Sequence, residues 1–489
     1  MAPRRNSFVT LLAAAAVFAW ALWLRVDGVS RDFWLMQDQV GDWQAVQGSF
    51  ASLPLTGPAK TGGGTHLGPF YYWWLWLSRQ VLAPWTGPLP HAMGVSTSLL
   101  DAAAFALLVP AIESAGAPLL ASFAATLLAA TVPYEAALAR AGWNPCFALA
   151  CLDLALVLLL LGRHRMSLPR AALVAALAWA AVASHLSAIV VALPILACVV
   201  AAAGSRGVRA AAVAAATVIG VVLAMQVPWM LAQRGYGTPV WIPGPPGEAS
   251  LPGRPPAAAH EDAPVAREPA TGTGTAVTRT VDAIGSEPSR LFSARGLRFV
   301  AVEPPALLLR SLWLPWPVST ALLAAATVLV SAGLVRGRLE PVPAALALLP
   351  LAVAAIACGA LEAALPSYFA IPLLGPLALL AGLAIASLPA RASAICGAAL
   401  LAATLLGQPH RLEDRRWEHA WRWYGPAVLG AREIAMRGSP VRAVVGPADG
   451  AAEQPATSLA RWLGATIDPS STTVARISRD GSVRWTATP

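Results

Sequence analysis

The sequence predicts an all-α polytopic membrane protein with about eleven transmembrane helices and a small α/β unit at its C-terminal end. Hydrophobic residues make up 57% of its 489 residues, and charged residues make up only 12%. An ordinary soluble domain carries about twice that charged fraction. Apolar stretches long enough to cross a hydrocarbon core, which takes ~20 helical residues, recur along the whole chain.

These apolar stretches give the predicted spans in chain order. No small-x-small cleavage site closes the first stretch, so we expect it to remain as a span rather than to be removed as a leader. The predicted spans are 7–25, 92–112, 117–137, 146–162, 170–186, 188–204, 209–228, 313–335, 341–361, 366–388 and 392–409.

Arginines in alternate connections predict the orientation of the chain. Short cytoplasmic connections are enriched in Lys and Arg, and an N-terminus inside the cell puts the arginine-rich connections on that side. We therefore expect a multi-pass membrane protein with its N-terminus inside the cell and its first loop on the extracytoplasmic side. The arginines in question are Arg4, Arg5, Arg163, Arg165, Arg170, Arg206, Arg209, Arg336, Arg338 and Arg391.

One apolar stretch has an unusual length. Residues 171–205 are too many for one crossing of ~20 residues and few for two. We expect two short helices that meet at His185.

Three segments lie outside the membrane on this topology. Within a transmembrane domain of residues 1–409, the first outer loop is 26–91 and contains two predicted surface helices, 38–50 and 70–82. The second helix is rich in Tyr and Trp, which favour the headgroup layer. The Pro/Gly-rich outer loop is 234–310, and we expect its middle part, 244–278, to be mobile. Residues 410–489 form a predicted extracytoplasmic domain, with a helix at 427–436 and strands at 441–445 and 473–477.

Charge and cysteine usage argue against a nucleic-acid-binding protein and against a structure held by cysteine-bound metals or disulfides. The net charge of +9 comes almost wholly from arginine, since Lys60 is the only lysine in the sequence. No dense basic stripe lies on a soluble segment, so we expect no nucleic-acid partner. The five cysteines lie in or next to apolar spans without metal-ligand spacing, and we expect them to be packing residues.

Acidic residues cluster just after the first span, at Asp27, Asp32, Asp38 and Asp42. Asp38 and Asp42 stand four residues apart, so they share one face of a helix. Two such carboxylates could hold a divalent metal, or one could act as a base while the other raises its pKa. The structural alternative is a solvated loop with ordinary acidic side chains.

The residues after the acidic pair form an ordered series of short motifs. Residues 54–58 are PLTGP, residues 62–64 are three glycines, and residues 66–73 are HLGPFYYW. RAGWNP follows at 140–145, at the outer end of the third predicted span, and His185 stands at the next outer turn but one. This series resembles the bacterial branch of the GT-C glycosyltransferases, membrane enzymes that include the protein mannosyltransferases and the aminoarabinose transferase of lipid A.

The resemblance covers about residues 10–200 and extends weakly to residues 366–369. There, Ser367 departs from the Arg or His that relatives often have before the Tyr. The resemblance implies a fold of GT-C type, a sugar donor carried on polyprenyl phosphate, and an acceptor that is a lipid, a glycan or a protein. It also implies inversion at the sugar carbon by direct displacement.

Sugar transfer to a hydroxyl needs a base, a positive charge or metal for the departing phosphate, and an apolar groove for the carrier. Asp38 is the expected catalytic base, since partial desolvation at a membrane surface raises the pKa of a carboxyl. Asp42 would tune Asp38 or share a divalent metal with it; no cofactor is otherwise implied. The expected substrate-binding residues are His66, Tyr71, Tyr72, Arg140, Trp143, Asn144, His185 and Tyr368.

Among the cationic candidates for the phosphate, Arg140 ranks first. A guanidinium holds phosphate oxygens bidentately, and the start of a helix favours anions. His66, His185 and Lys60 are the other candidates, although no Gly-Lys pair or preceding strand makes a phosphate loop at Lys60. The structural alternatives are an arginine that snorkels from its helix and a histidine that packs between helices.

Two other functions remain open from the sequence. A polytopic transporter or lipid-carrier flippase would use acids within its spans, and Asp101 and Asp153 lie within predicted spans. Such proteins commonly contain internal repeats, and none is visible in this sequence. A noncatalytic assembly or binding protein would tolerate loss of the Asp38 and Asp42 pair.

Overall fold

The computed structural model describes residues 7–58, 65–237, 298–304, 316–361, 367–408, 424–446 and 453–487. The expected mobile segment 244–278, Lys60 and the expected domain boundary at 409/410 lie outside these residues. Helices α1 to α11 span Ser7–Val26, Val29–Asp32, Gln37–Ala45, Phe70–Thr86, His91–Ser114, Leu119–Ala130, Pro133–Arg140, Asn144–Gly162, Leu168–Ser184, Ile189–Gly204 and Val208–Gln233.

Four more apolar helices follow: α12 (Trp316–Val335), α13 (Pro341–Leu361), α14 (Leu374–Ala386) and α15 (Ala390–Leu406). Among the described residues, seven helices are long and apolar enough to cross a membrane, or eight if the bent pair α6–α7 is one span. Three shorter apolar helices, in α9, α13 and α15, accompany them. The chain is therefore a polytopic helical membrane protein, as predicted, whereas the count of eleven spans stays a prediction.

Helices α5 and α8 form the centre of the bundle. Helix α5 packs against α1 and α8, and α8 packs in turn against α9. Many of the buried side chains on these helices are alanines, and such small residues let helix backbones approach closely. Helices α11 and α12 instead expose apolar side chains, with Val208 87% and Val328 65% exposed. An exposed apolar surface of this kind suits contact with lipid.

The predicted span 117–137 corresponds to two helices, α6 and α7, that together can form one broken span. Helix α6 ends at Ala130, and α7 begins at Pro133 with its axis turned by 57°. Proline disfavours the helical conformation in the residue before it, and Val132 is indeed extended, with φ −64° and ψ 118°. Proline also suits the first turn of a new helix. The break brings α7 and its last residue, Arg140, to the end of the bundle.

The two short helices predicted to meet at His185 are present. Helix α9 ends at Ser184, His185 has an extended backbone with φ −152°, and one turn of 3-10 helix leads into α10. His185 therefore lies at a helix junction rather than inside a span.

The first loop folds back onto the bundle through α2, α3 and α4. The helix predicted at 38–50 is shorter, since α3 ends at Ala45 and a separate turn of 3-10 helix covers Phe50–Ser52. The helix predicted at 70–82 is present as α4, which buries Tyr71, Tyr72 and Leu75 against the bundle.

The C-terminal unit consists of α16 (Tyr424–Arg437), β1 (Ala443–Val445), α17 (Glu453–Trp462), β2 (Thr473–Ile477) and β3 (Val483–Ala487). Strand β2 lies in the middle, parallel to β1 and antiparallel to β3. The predicted strands and the predicted helix are therefore present, whereas α17 and β3 were not predicted. Among the described residues of this unit, the buried side chains form one cluster with those of the first loop.

The corner that follows α7 rests directly on the backbone of α5. A Cβ atom at Gly94 would lie 2.0 Å from the Arg140 carbonyl oxygen, and one at Gly142 would lie 2.6 Å from the Met93 Cβ. Gly142 also has a φ of +67°, which favours glycine. The close approach fixes the position of Trp143, the next residue.

We expect Gly94→Ala to lower the melting temperature of the detergent-solubilised protein, because the added methyl group must displace this corner. Overpacking of this kind costs about 1–3 kcal/mol. Gly220→Ala on α11 is the matched control, since a Cβ atom there meets nothing within 4 Å. Equal melting temperatures for the two variants would contradict the close packing at Gly94.

Candidate active site

Helix α3 carries both acidic candidates at the end of the bundle. The backbone N–H of Met36 donates to the Gln39 side-chain oxygen at 3.2 Å, which caps the first turn of the helix. Asp38 and Asp42 follow on successive turns. The Asp38 side chain is exposed, whereas Asp42 is only 6% exposed. The two carboxyls therefore share a helix face but not an environment.

The Asp42 side chain is buried against helix α4. The Tyr72 hydroxyl donates to Asp42 Oδ1 at 3.1 Å. Burial, followed by the negative charge of Asp38, raises the pKa of Asp42 to about 8, and the hydrogen bond from Tyr72 only partly opposes this shift. Asp42 is thus mostly protonated at neutral pH. The expectation that the pair could hold a divalent metal stays a prediction.

Asp38 faces the junction between α7 and α8. The surrounding protein partly desolvates its carboxyl, which raises the pKa of Asp38, and the hydrogen bond donated by the Trp143 indole opposes the rise. The two acids therefore differ in environment: Asp42 is enclosed by the protein, whereas Asp38 reaches the surface next to Trp143.

An aromatic row runs from Asp38 towards two histidines. The Trp143 ring packs against Trp34 at 5.6 Å and against Tyr368 at 5.8 Å, measured between ring centroids. Tyr368 also contacts the His185 ring at 5.8 Å, and His185 lies 5.3 Å from the His66 ring. We call Asp38, Asp42, Tyr72, Trp143, Tyr368, His185 and His66 the loop site.

Short contacts hold the two histidines in place, His185 at the junction of α9 and α10 and His66 in the first loop. His185 Nδ1 lies 2.6 Å from Ser187 Oγ, and its ring packs against Phe369 at 5.6 Å. Backbone hydrogen bonds join His66 to Gly57 and Pro58, at 3.0 and 2.9 Å. Both imidazoles are mostly buried, with exposures of 7% for His185 and 8% for His66. Their adjacency offers N–H groups that could bind an anion.

Asn144 and Tyr71 lock this end of the bundle together. The Asn144 amide donates to the carbonyl of Ser184 at 2.7 Å, which ties the start of α8 to the end of α9. The Tyr71 hydroxyl donates to the Gly142 carbonyl. Both side chains lie next to the loop site, and in the structure they hold its helices in place.

The Arg140 side chain binds acidic and backbone groups of the segment that follows α1. Its guanidinium pairs with Asp32 at 2.5 Å and donates to the backbone carbonyls of Asp27, at 2.5 Å, and Arg25, at 3.3 Å. The side chain is mostly buried. In the structure these groups bind the guanidinium, and the expected contact of Arg140 with the donor phosphate stays a prediction. The Arg140 side chain thus connects the segment after α1 to the corner after α7.

A second polar cluster lies inside the bundle, and the sequence did not predict it. The Arg25 guanidinium donates to the Ala130 carbonyl at 2.8 Å, pairs closely with Glu135 and lies 3.7 Å from an Asp101 oxygen. One potential metal-ligand atom from each of Asp101, Glu135 and Cys146 lies within 4.8 Å of the other two. Arg25 neutralises part of this negative charge within the protein itself. Pro133, which begins α7, was the sequence signal that could have placed Glu135 at a helix break.

Asp153 is also fully buried, on α8. Its carboxyl occupies the space that Gly375 leaves open, since a Cβ atom there would lie 1.9 Å from Asp153 Oδ1. Trp34, Ser187 and Phe369, which contact the loop site, were likewise not predicted, because an apolar or small side chain has no distinctive sequence pattern.

The helices and the loop site define a polytopic α-helical membrane protein with acidic, aromatic and imidazole side chains at one end of its bundle. Among solved structures, the crystal structure of ArnT from Cupriavidus metallidurans bound to undecaprenyl phosphate is similar to this chain, with a TM-score of 0.46 and 15% sequence identity. The similarity covers 94% of this chain and 76% of that one. No protein-family model and no curated protein sequence matches the chain.

The raised pKa of Asp42 predicts a pH-dependent effect of Asp42→Asn on stability. Between the unfolded pKa of 3.8 and the folded pKa of about 8, the folded chain keeps a proton that the unfolded chain loses. The stability that this carboxyl contributes is therefore greatest below pH 4 and is lost as the pH rises to about 8. We expect the melting temperature of Asp42→Asn, relative to the native protein, to increase from pH 5 to pH 9.

Asp480→Asn serves as the control for that measurement. Hydrogen bonds from Ser482 lower the pKa of this exposed carboxyl, so it stays ionised over the same range. Its effect on the melting temperature should not vary between pH 5 and pH 9. The same pH dependence in both variants would show that Asp42 does not titrate as described.

Proposed function

We propose that this protein is a membrane glycosyltransferase of GT-C type that transfers a sugar from a polyprenyl-phosphate donor to an extracytoplasmic acceptor, in the bacterial cytoplasmic membrane. The observation that carries the proposal is the loop site: Asp38, an exposed carboxyl held by Trp143, is joined through Tyr368 to the histidine pair. These are a base and a set of anion-binding groups at the end of an apolar bundle. The sequence resemblance to the GT-C enzymes supports the same function.

The proposed reaction is a direct displacement. The acceptor hydroxyl gives its proton to Asp38 while its oxygen attacks the anomeric carbon. The bond between that carbon and the phosphate oxygen breaks, and the polyprenyl phosphate leaves with the bonding electrons. Attack from the face opposite the phosphate inverts the anomeric centre. No second carboxylate nucleophile is needed, as it would be in a double displacement.

The other residues of the loop site have supporting roles in this proposal. Protonated Asp42 adds no second negative charge next to an anionic donor, and Tyr72 holds its carboxyl in place. The N–H groups of His66 and His185 would hydrogen-bond the departing phosphate, and hydrogen bonds to charged groups are the stronger kind. The rings of Trp143 and Tyr368 would pack against the sugar. Which sugar binds depends on side-chain contacts with it.

Asp38→Asn should abolish most of the transferase activity while the protein stays folded. A positioned general base contributes about 10²–10⁴-fold to a rate, so we expect kcat to fall by at least about 100-fold. The assay supplies the purified protein with radiolabelled undecaprenyl- or decaprenyl-phosphate sugars. Asp480→Asn, in the hairpin between β2 and β3, is the matched control and should retain activity. Equal transfer by Asp38→Asn and the native protein would refute the role of Asp38.

Donor affinity should depend on the histidine pair and not on Arg140. We expect His185→Ala and His66→Ala to weaken binding of a polyprenyl-phosphate sugar by about tenfold or more, which is the range for a hydrogen bond to a charged group. Arg140→Gln should leave the affinity unchanged and lower the melting temperature, since it removes the ion pair with Asp32. A folded Arg140→Gln protein with weakened donor binding would return the phosphate contact to Arg140.

The buried carboxyls favour a second candidate, a transporter or lipid-carrier flippase. Asp101, Glu135 and Asp153 are each 0% exposed within the bundle, as the proton-carrying acids of transporters often are. The two functions differ in the outcome of the same assay. Transport of an intact sugar lipid across vesicles, lost in Asp101→Asn and without transfer of the sugar, would favour the transporter.

A further inference from the structure

Helix α3, which carries the proposed base, is too short to be stable alone. It has nine residues, with Gly41 in its middle. Isolated helices shorter than ~12–15 residues are marginal in water, and a central glycine costs about 1 kcal/mol relative to alanine. The position of Asp38 therefore depends on what packs against α3.

One side of α3 packs on the membrane bundle. Trp43 and Val46 are fully buried and belong to the same core as Tyr71 and Tyr72 of α4. The Trp43 indole N–H donates to the Pro88 carbonyl at 3.0 Å. These contacts fix one face of the helix only.

The other side of α3 packs on the C-terminal unit. Val40, at 2% exposure, belongs to the core that the C-terminal unit shares with the first loop, and so do Phe33 and Leu35. The opposing side chains of that core come from α16, α17 and the sheet. Helix α3 therefore lies between two bodies, the bundle and the C-terminal unit.

Two aromatic residues of the C-terminal unit make specific contacts at this interface. The Tyr424 ring meets Phe33 edge-on at 5.3 Å, and its hydroxyl lies 3.1 Å from His91 Nδ1 at the start of α5. The Trp462 indole N–H donates to Gln44 Oε1 on α3 at 3.3 Å. Tyr424 is fully buried.

We infer that the C-terminal unit is part of the framework of the active site, and that Tyr424 and Trp462 are positioning residues that hold α3 so that Asp38 meets Trp143. Neither residue touches the reacting atoms in this scheme. The kinetic part of the inference rests on the proposed transferase function, whereas its structural part does not. The unit would thus be needed for turnover even if it binds no acceptor.

The structural part is tested by amide hydrogen exchange of the full-length protein in detergent. In Tyr424→Ala and in Trp462→Ala, exchange of the amides of residues 37–45 should become at least about tenfold faster, a loss of ~1.4 kcal/mol in local stability. Exchange in β2 should not change. Tyr424→Phe keeps the ring against Phe33 and should restore most of the protection. Trp485→Ala is the matched control, because this tryptophan contacts Arg437 of its own unit instead of α3.

The kinetic part uses the same variants in the transfer assay. We expect kcat to fall in the two alanine variants while the KM for the donor stays nearly constant, and Tyr424→Phe to recover kcat. Unchanged exchange at 37–45 in both alanine variants would overturn the inference, and so would faster exchange with unchanged kcat. Faster exchange at 37–45 in preparations whose native protein transfers no sugar would uphold the positioning of α3 and reject the transferase function.

Discussion

The interior of a membrane requires every backbone polar group to be bonded within its own segment, so the spans must be helices and irregular backbone is confined to their ends. The loop site follows from this constraint. Asp38 comes from the segment after α1, Trp143 from the α7–α8 corner, His185 from the α9–α10 junction and Tyr368 from the turn before α14. Each lies where a helix begins or ends, and the packing of the helices brings these ends together.

Asp38 and Asp42 lie one helical turn apart but in different environments. Both residues are aspartates on the same face, yet Asp42 points into the protein against Tyr72 while Asp38 stays at the surface next to Trp143. Burial raises the pKa of Asp42 to about 8, and partial desolvation also raises the pKa of Asp38. The negative charge of Asp38 adds to the rise at Asp42, because like charges one turn apart on a helix repel each other.

Arg25 and Arg140, the arginines near the site, form ion pairs and hydrogen bonds within the protein. A buried guanidinium is tolerated only with compensating partners. Arg25 donates hydrogen bonds to Glu135 and to backbone carbonyls, and an Asp101 oxygen lies 3.7 Å from its Nε. Arg140 finds its partners in Asp32 and the backbone after α1. Together they join the end of α1 to the break between α6 and α7, and this joint supports the corner that carries Trp143.

The sequence by itself determined the membrane class, most of the apolar helices and the junction at His185, and it supplied the candidate residues that the structure brings together in the loop site. It could do so because hydrophobicity, helix-breaking prolines and clustered polar side chains are local properties of the chain. Only the tertiary structure decided which candidate arginine is already paired, which aspartate is buried, and that Arg25, Asp101 and Glu135 meet inside the bundle. It alone showed that the C-terminal unit and the first loop share one core. Burial, hydrogen bonding and ion pairing depend on contacts between residues that are distant in the sequence. The hydrogen bond between Gln44 and Trp462, for example, joins residues 418 positions apart, and no local sequence pattern predicts such a contact.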